Sequence, residues 1–378
     1  MKIFYVAAFA DQADAAWFSL GRMRKVQQVA SALISLEHKP EFLNIAPFCI
    51  KAIHLFDTVW PVVRLCTVSF LPLRFLQLSY NSALFFSIAS SRSSNAVIWL
   101  YNTRLAESIV AFVALMIRPQ LRLVLQLEDL PAARSANDGL RGRLDRWSTT
   151  WMSRRADCVF AVSEQVARAY SNLVTVPTEN ITVLPPTLDP LFLKLAQVRN
   201  QPFSSSCVQI FYAGSFSEEK GVGDLIEAFL AMRSLNCKLL LAGSAPETLI
   251  QAHRLNTSIH FLGIVSNQEL FRLYTSVDVV VNPHRSILNP DHVFPFKLIE
   301  TVASGALPLT TPVPGAEDLG LPLECFFHDV KGLTSKLDYA STLWKVTRRS
   351  IETASQFCRR RYSFENLKAT VDRALTHI

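Results

Sequence analysis

The sequence predicts a two-domain α/β protein built on parallel sheets. Three observations carry this expectation. At 378 residues the chain is too long for one compact core and suits two. Short apolar runs alternate with longer mixed segments, the pattern of buried parallel strands joined by crossover helices. Halfway along, residues 185–206 read PPTLDPLFLKLAQVRNQPFSSS, a proline- and serine-rich interruption that suits a hinge.

Taken in order, the strands expected in the first half are 2–8, 96–101, 121–127, 157–162 and 181–184. The second half offers 208–213, 238–242, 259–262, 277–281 and 306–309. Residues 1–195 are thus expected to form one domain and 206–350 another. The stretch 351–378 reads as an amphipathic helix, with 355–378 packing back on the first domain.

Composition narrows the function. Half the residues are hydrophobic and 18% are charged, below the roughly 25% of an average domain. Mean hydropathy is +0.22, which leaves apolar surface for a partner or a membrane face. The net charge of +7 is uneven: residues 1–190 hold 19 Lys and Arg against 14 Asp and Glu, the remainder 19 against 17. An anionic partner is expected on the first half. Scattered arginines without a nucleic-acid-binding signature argue against nucleic acid and for an anionic membrane or a phosphorylated lipid.

The apolar start MKIFYVAAFADQAD is short and runs into Asp11 and Asp14, so it reads as a strand and not a signal peptide. Arginines interrupt the apolar region 40–115 before any window reaches the roughly 18 residues of a spanning helix. Its aromatic part, with Trp60, Phe70, Phe75, Tyr80 and Phe85, is either a membrane-docking region or core. Seven dispersed cysteines without C-x-x-C spacing read as reduced thiols. The expected location is the cytoplasm, at the inner face of the membrane.

Two motifs carry chemistry. In FYAGSFSEEKGVGDLIEAF, residues 211–229, a strand ends at Gly214, and Lys220–Gly221 precede a helix. Glycine lets backbone approach a diphosphate, a helix N-terminus offers unpaired N–H groups, and Lys220 adds a full charge. An ordinary strand–turn–helix with a solvated lysine has the same pattern. In HVFPFKLIETVASGALPLTTPVPGAEDLG, residues 292–320, Lys297 and Glu300 share a helix face. The carboxylate can accept from two ribose hydroxyls while the lysine reaches phosphate; a surface salt bridge is the alternative.

Together these motifs resemble the family 4 retaining glycosyltransferases, strongly over residues 208–319 and more faintly elsewhere. The resemblance implies the GT-B fold, two Rossmann-like domains facing each other across a cleft. It also implies a nucleotide-diphosphate-sugar donor, with Gly214, Ser215, Lys220 and Gly221 at its diphosphate and Glu300 on its ribose. Ile264 and Val265 would pass near the base, with Phe294 and Lys297 completing the donor site. Ser215 stands where the family often has arginine, and His292 where it has the first glutamate of a pair. In the first domain, Gly21, Arg22, Arg24 and Lys25 match the acceptor-side glycine loop and helix, a basic helix start that could meet an acceptor phosphate; a plain solvated basic turn is the alternative. Glu128 and Asp129 replace a usual His-Asp pair; they act on sugar or acceptor, or only cap a loop.

The activity so implied is transfer of a hexose-type sugar, with retention, to a glycan or lipid-linked acceptor in cell-surface polysaccharide or glycolipid synthesis. Lys220, Glu300 and Glu128 would be its catalytic residues, with closure about the hinge assembling them. No cofactor is expected, and the absence of D-x-D from the chain points to metal independence. A nucleotide-sugar epimerase and a degenerate scaffold subunit are the competing readings. Epimerisation would need donor alone, and a scaffold would bind donor without turnover.

Overall fold

A computed structural model describes residues 1–7, 20–44, 54–55, 58–59, 62–64, 96–103, 105–128, 139–199, 202–203, 207–233, 236–285, 296–313 and 315–378. They form two compact units, Met1–Thr187 with Phe364–Ile378, and Leu188–Ser363.

The first unit contains β1 (Lys2–Ala7), β2 (Lys39–Asn44), β3 (His54–Leu55), β4 (Thr58–Val59), β5 (Val62–Arg64), β6 (Ala96–Tyr101), β7 (Arg122–Leu127), β8 (Cys158–Ala161) and β9 (Ile181–Val183). Among the described residues, seven of these form a parallel sheet in the order β5-β2-β1-β6-β7-β8-β9, and β3 pairs with β4 alone. Strand β6 and, after Lys2, strand β1 are apolar and buried on both faces, as crossover helices require. Trp99 stacks between Tyr5 and Phe160 at 5.9 and 5.1 Å. The sequence did not reveal β2: KPEFLN holds two large apolar residues behind Lys-Pro-Glu, and pairing beside β1 makes it a strand. The named aromatics between 60 and 85 lie outside the described residues.

The C-terminal stretch is two helices, Ala340–Arg361 and Phe364–Leu375, where the periodicity suggested one. The first buries Ile351, Ala354 and Cys358 in the core of the second unit. The next buries Leu367, Val371 and Leu375 beside Val26, Val29 and Leu33 in the first unit. At the break between them, the Leu188 N–H donates to the Tyr362 carbonyl at 2.7 Å.

The second unit contains β10 (Val208–Ala213), β11 (Cys237–Ala242), β12 (Ile259–Gly263), β13 (Val279–Asn282) and β14 (Leu307–Thr310), a parallel sheet ordered β12-β11-β10-β13-β14. Its helix Phe296–Ser304 is buried from Leu298 onward. The C-terminal carbonyls of that helix are satisfied by distant cations. The Ala303 carbonyl accepts from Arg359 Nε at 2.8 Å and Ser355 Oγ at 3.1 Å, and the Ser304 carbonyl from Arg199 at 3.0 Å. Positive charge at a helix C-terminus is stabilising, so the element that carries Lys297 and Glu300 is held firmly. Burial pushes the Cys158, Cys325 and Cys358 thiols up to about 12, which makes them unreactive.

Candidate functional site

Parallel strands bring their carboxyl ends to one edge of the sheet. In the second unit β10 has β11 on one side and β13 on the other, so the loops leaving β10 and β13 part in opposite directions. Open α/β sheets take ligands in the crevice at such a switch point. The motif at residues 211–229 leaves β10 at this place.

Two glycines make its geometry possible. The Gly214 N–H extends the ladder to the Ala242 carbonyl at 2.9 Å. A Cβ on Gly214 would lie 2.3 Å from the Tyr212 hydroxyl and 3.0 Å from Lys297 Nζ. Gly221 has φ 63° and abuts the next loop, where a Cβ would sit 2.0 Å from the Pro283 carbonyl oxygen. Only glycine meets both demands cheaply. It starts the helix Val222–Leu230, whose N-terminus has no side-chain cap and buries Leu225, Ile226 and Phe229.

Lys220 stands one residue earlier and reaches across the switch point, its Nζ 2.9 Å from His284 Nε2. His284 Nδ1 lies 3.0 Å from the Arg285 carbonyl. A carbonyl can only accept, so the proton sits on Nδ1, and Nε2 accepts from the ammonium. Burial first, then the Lys220 charge, lower the His284 pKa from its usual value, while the Arg285 carbonyl and Glu219 oppose the shift. The imidazole is therefore neutral at pH 7.

The next residue locks the two loops together. The Arg285 N–H donates to the Glu219 carbonyl at 2.8 Å, and its guanidinium grips both Asp224 oxygens at 2.8 and 2.5 Å. A third contact reaches Glu218 at 3.3 Å.

Lys297 closes the other side, its Nζ donating to the Ala213 carbonyl at 3.0 Å. Desolvation lowers its pKa, Glu300 opposes that, and Lys220 adds to it. Glu300 is buried, 5% exposed, so the surface-salt-bridge reading does not describe it. Ser215 is exposed and its carbonyl accepts from the Tyr212 hydroxyl at 2.7 Å. Ile264 follows Gly263, which has φ 67°, at the end of β12 with 84% of its surface exposed, and Val265 is half-buried. Phe294 and His292 lie outside the described residues.

Sequence reading passed over Gly243 and Arg285 and left His284 without a role. Gly243, φ 137°, packs where a Cβ would lie 1.9 Å from the Gly214 carbonyl oxygen. The signal for the other two was Asn-Pro-His-Arg directly after a buried strand, polar residues at a sheet's carboxyl edge.

In the first unit, Glu128 follows β7 and belongs to a buried polar network. Gln126 Oε1 accepts from the Tyr5 hydroxyl and Trp99 Nε1, both at 2.7 Å, and its amide donates to Glu128 Oε1 at 2.7 Å. Asn102 adopts the left-handed conformation, φ 63°, and its side-chain oxygen accepts from the Glu128 N–H at 2.8 Å. Lys25 does not belong to a solvated basic turn. It is buried, its Nζ 4.0 Å from Glu128 Oε1 and donating to the Leu184 carbonyl at 2.5 Å. Desolvation lowers its pKa to about 8 against the opposing pull of Glu128. The structure places Gly21, Arg22 and Arg24 on the helix Leu20–Ser35; Asp129 lies outside the described residues.

Each unit matches a family description. Residues 24–187 match "Glycosyl transferase 4-like domain" and residues 207–337 match "Glycosyl transferases group 1". An uncharacterized glycosyltransferase of Methanocaldococcus jannaschii is 29% identical over 180 residues, 43% of this chain and 43% of that protein. The match thus spans under half the length of this curated relative. Three solved structures share the fold. A glycosyltransferase from Rickettsia africae has a TM-score of 0.74 at 16% identity, over 100% of this chain and 97% of that one. Anabaena HepE, in complex with UDP and glucose, gives 0.70 at 15%, covering 100% of both. Sucrose-phosphate synthase from Thermosynechococcus elongatus gives 0.69 at 17%, over 99% and 98%. The fold is GT-B, and the chain belongs to the group 1 glycosyltransferases.

Proposed function

We propose that this protein is a retaining, metal-independent glycosyltransferase whose second unit holds a nucleotide-diphosphate-sugar. One observation carries the reading: Lys297 lies beside Gly214 at the switch point, where the charge of Lys220 acts on it. An ammonium whose charged form is made costlier by burial and by a second ammonium favours an anion beside it. The unpaired N–H groups that open the helix Val222–Leu230 add partial positive charge. Both contributions grow in value as negative charge builds on the departing diphosphate. Glu300 would accept from the donor ribose.

In this reaction the bond from the anomeric carbon to the diphosphate breaks and a bond to the acceptor oxygen forms on the same face. The acceptor proton passes to the departing phosphate, so the protein's part is positioning and charge stabilisation. Glu128, set by Gln126, Asn102 and Lys25, would orient the sugar or the acceptor hydroxyl. Gly21, Arg22, Arg24 and Asp129 would serve the acceptor side. The acceptor is a glycan or lipid-linked sugar of cell-surface polysaccharide or glycolipid synthesis, met at the inner face of an anionic membrane. Among the described residues no helix is long and apolar enough to cross a membrane, and the basic first half suits peripheral contact.

The test is thermal stabilisation by UDP-, GDP-, ADP-, CMP- and dTDP-sugars. A UDP-sugar comes first, because a protein of the same fold was crystallised with UDP and glucose. A ligand at 100 times its dissociation constant stabilises by about 2.7 kcal/mol. One nucleotide class should stand out and lose its effect in Lys220→Ala. A flat response would sink the donor assignment. Product analysis with donor alone separates transfer from epimerisation.

A further inference from the structure

Resting on the donor-site reading above, we propose that His284 is a second, proton-dependent ligand of the donor diphosphate, so that donor binding takes up one proton from solvent. The motifs at residues 211–229 and 292–320 do not contain this residue. Its chemistry follows from its place: His284 sits at the carboxyl end of β13, directly across the switch point from the loop that follows β10.

The argument begins with what fixes the ring. The His284 carbonyl accepts from Thr311 Oγ1 at 2.5 Å, and Nδ1–H donates to the Arg285 carbonyl at 3.0 Å. Both neighbours are pinned, Arg285 to Glu219 and Asp224, and Pro283 under Gly221. Only Nε2 faces the place where Lys220 Nζ lies, and it is the acceptor there at 2.9 Å. The ring is only half-buried, so a proton can reach it.

An anion at this place changes both partners. The Lys220 ammonium turns its protons to phosphate oxygens, which are stronger acceptors than imidazole. Nε2 then loses its donor and faces negative charge. An imidazole beside an anion favours its cationic form, the opposite of one beside an ammonium. Nε2 takes a proton from solvent and donates it to a phosphate oxygen, while Nδ1–H keeps its carbonyl. The imidazolium adds a cationic contact beside that of Lys220. The charged groups that act on the ring among the described residues are Lys220 and Glu219 from the loop after β10 and its neighbour Arg285. Arg285 is neutralised by Asp224 and Glu218.

Isothermal titration with a nucleotide-diphosphate-sugar tests this. The probe is whichever of UDP-glucose, GDP-mannose, ADP-glucose or dTDP-glucose stabilises the full-length protein. Its diphosphate is a diester with no proton to exchange near neutrality, so any proton change belongs to the protein. Binding enthalpy measured at pH 7 in buffers of different ionisation enthalpy should show uptake approaching one proton. Affinity should weaken as pH rises from 6 to 8, by at most about tenfold per pH unit for a single proton. In His284→Gln, uptake should vanish and affinity should become flat with pH. Binding that needs Lys220 but takes up no proton, or uptake that survives His284→Gln, overturns the proposal and leaves the donor site standing. If no sugar nucleotide in the panel binds, or binding ignores Lys220→Ala, the donor reading itself fails and this inference with it.

Discussion

Lys220 Nζ lies 2.9 Å from His284 Nε2, a hydrogen bond between the loop that leaves β10 and the loop that leaves β13. Those loops diverge by topology, and this bond spans the gap between them. It does not act alone, because Arg285 grips Asp224 and Glu219, and Gly221 lies against Pro283. The ammonium is thus placed by the fold before any ligand arrives. Pre-placed charge is worth more than charge that must be gathered, because its ordering cost is met during folding.

Lys220→Ala should therefore remove function and spare the fold. The side chain is half-buried, and the hydrogen bond it makes is to His284, not to the core. Loss of one donor aimed at a developing oxyanion typically costs about 100- to 1000-fold in turnover. Steady-state kinetics beside a thermal melt would check this. Full activity with an unchanged melt would dismiss Lys220 as the diphosphate ligand.

Gly221 and Gly223 form a matched pair. Gly223→Ala should stabilise by about 0.5–1 kcal/mol, since the residue is helical and a Cβ there meets nothing within 4 Å. Gly221→Ala should destabilise by at least 1–2 kcal/mol or so, the cost of a left-handed residue, because the Pro283 carbonyl must also move. Denaturant melts of both variants would decide, and equal effects would contradict the loop geometry.

What the sequence made legible was local chemistry. The strand, Gly214, Lys220, Gly221 and the helix after them lie within 23 residues, and their glycines and periodic apolar side chains announce themselves. The partners of that motif were hidden because His284 is 64 positions from Lys220 and Arg285 61 from Asp224. Only the β10–β13 pairing brings them together. Lys25 misled for another reason. Neighbouring Arg22 and Arg24 suggest a basic turn, yet Lys25 stands one turn before Val29 and two before Leu33, on the core stripe. That position warned of a buried amine.

Metal independence and retention can be read in one assay. Turnover should survive excess EDTA, and proton NMR of the first product should show the donor's anomeric configuration kept. The absence of D-x-D from the chain and the cationic pair Lys220 and Lys297 motivate the first expectation, since two ammonium groups supply the charge a divalent ion would. Activity abolished by EDTA and restored by magnesium would overturn that half. An inverted product would overturn the other.

The Lys25–Glu128 pair makes stability depend on pH in a definite direction. Lys25 has a folded pKa near 8, lowered first by burial and only partly restored by Glu128, against a usual value of 10.5. Between those two values the unfolded chain holds the proton and the folded chain does not. The unfolded state then binds more protons, so this lysine's contribution to stability rises as pH climbs from about 8 to 10.5. Below pH 8 both states are protonated, and the full cost of burying the charge, on the order of a few kcal/mol, is present. Lys25→Met should remove that slope. Buried tyrosines and cysteines with raised pKa values pull the opposite way in both proteins, so the difference between wild type and variant isolates the lysine. Urea unfolding of both at pH 7.5 and 9.5 is the measurement. The gap in stability between them should shift toward wild type at the higher pH. A gap that does not move would mean Lys25 keeps its proton inside the fold, held by Glu128 as a permanent ion pair.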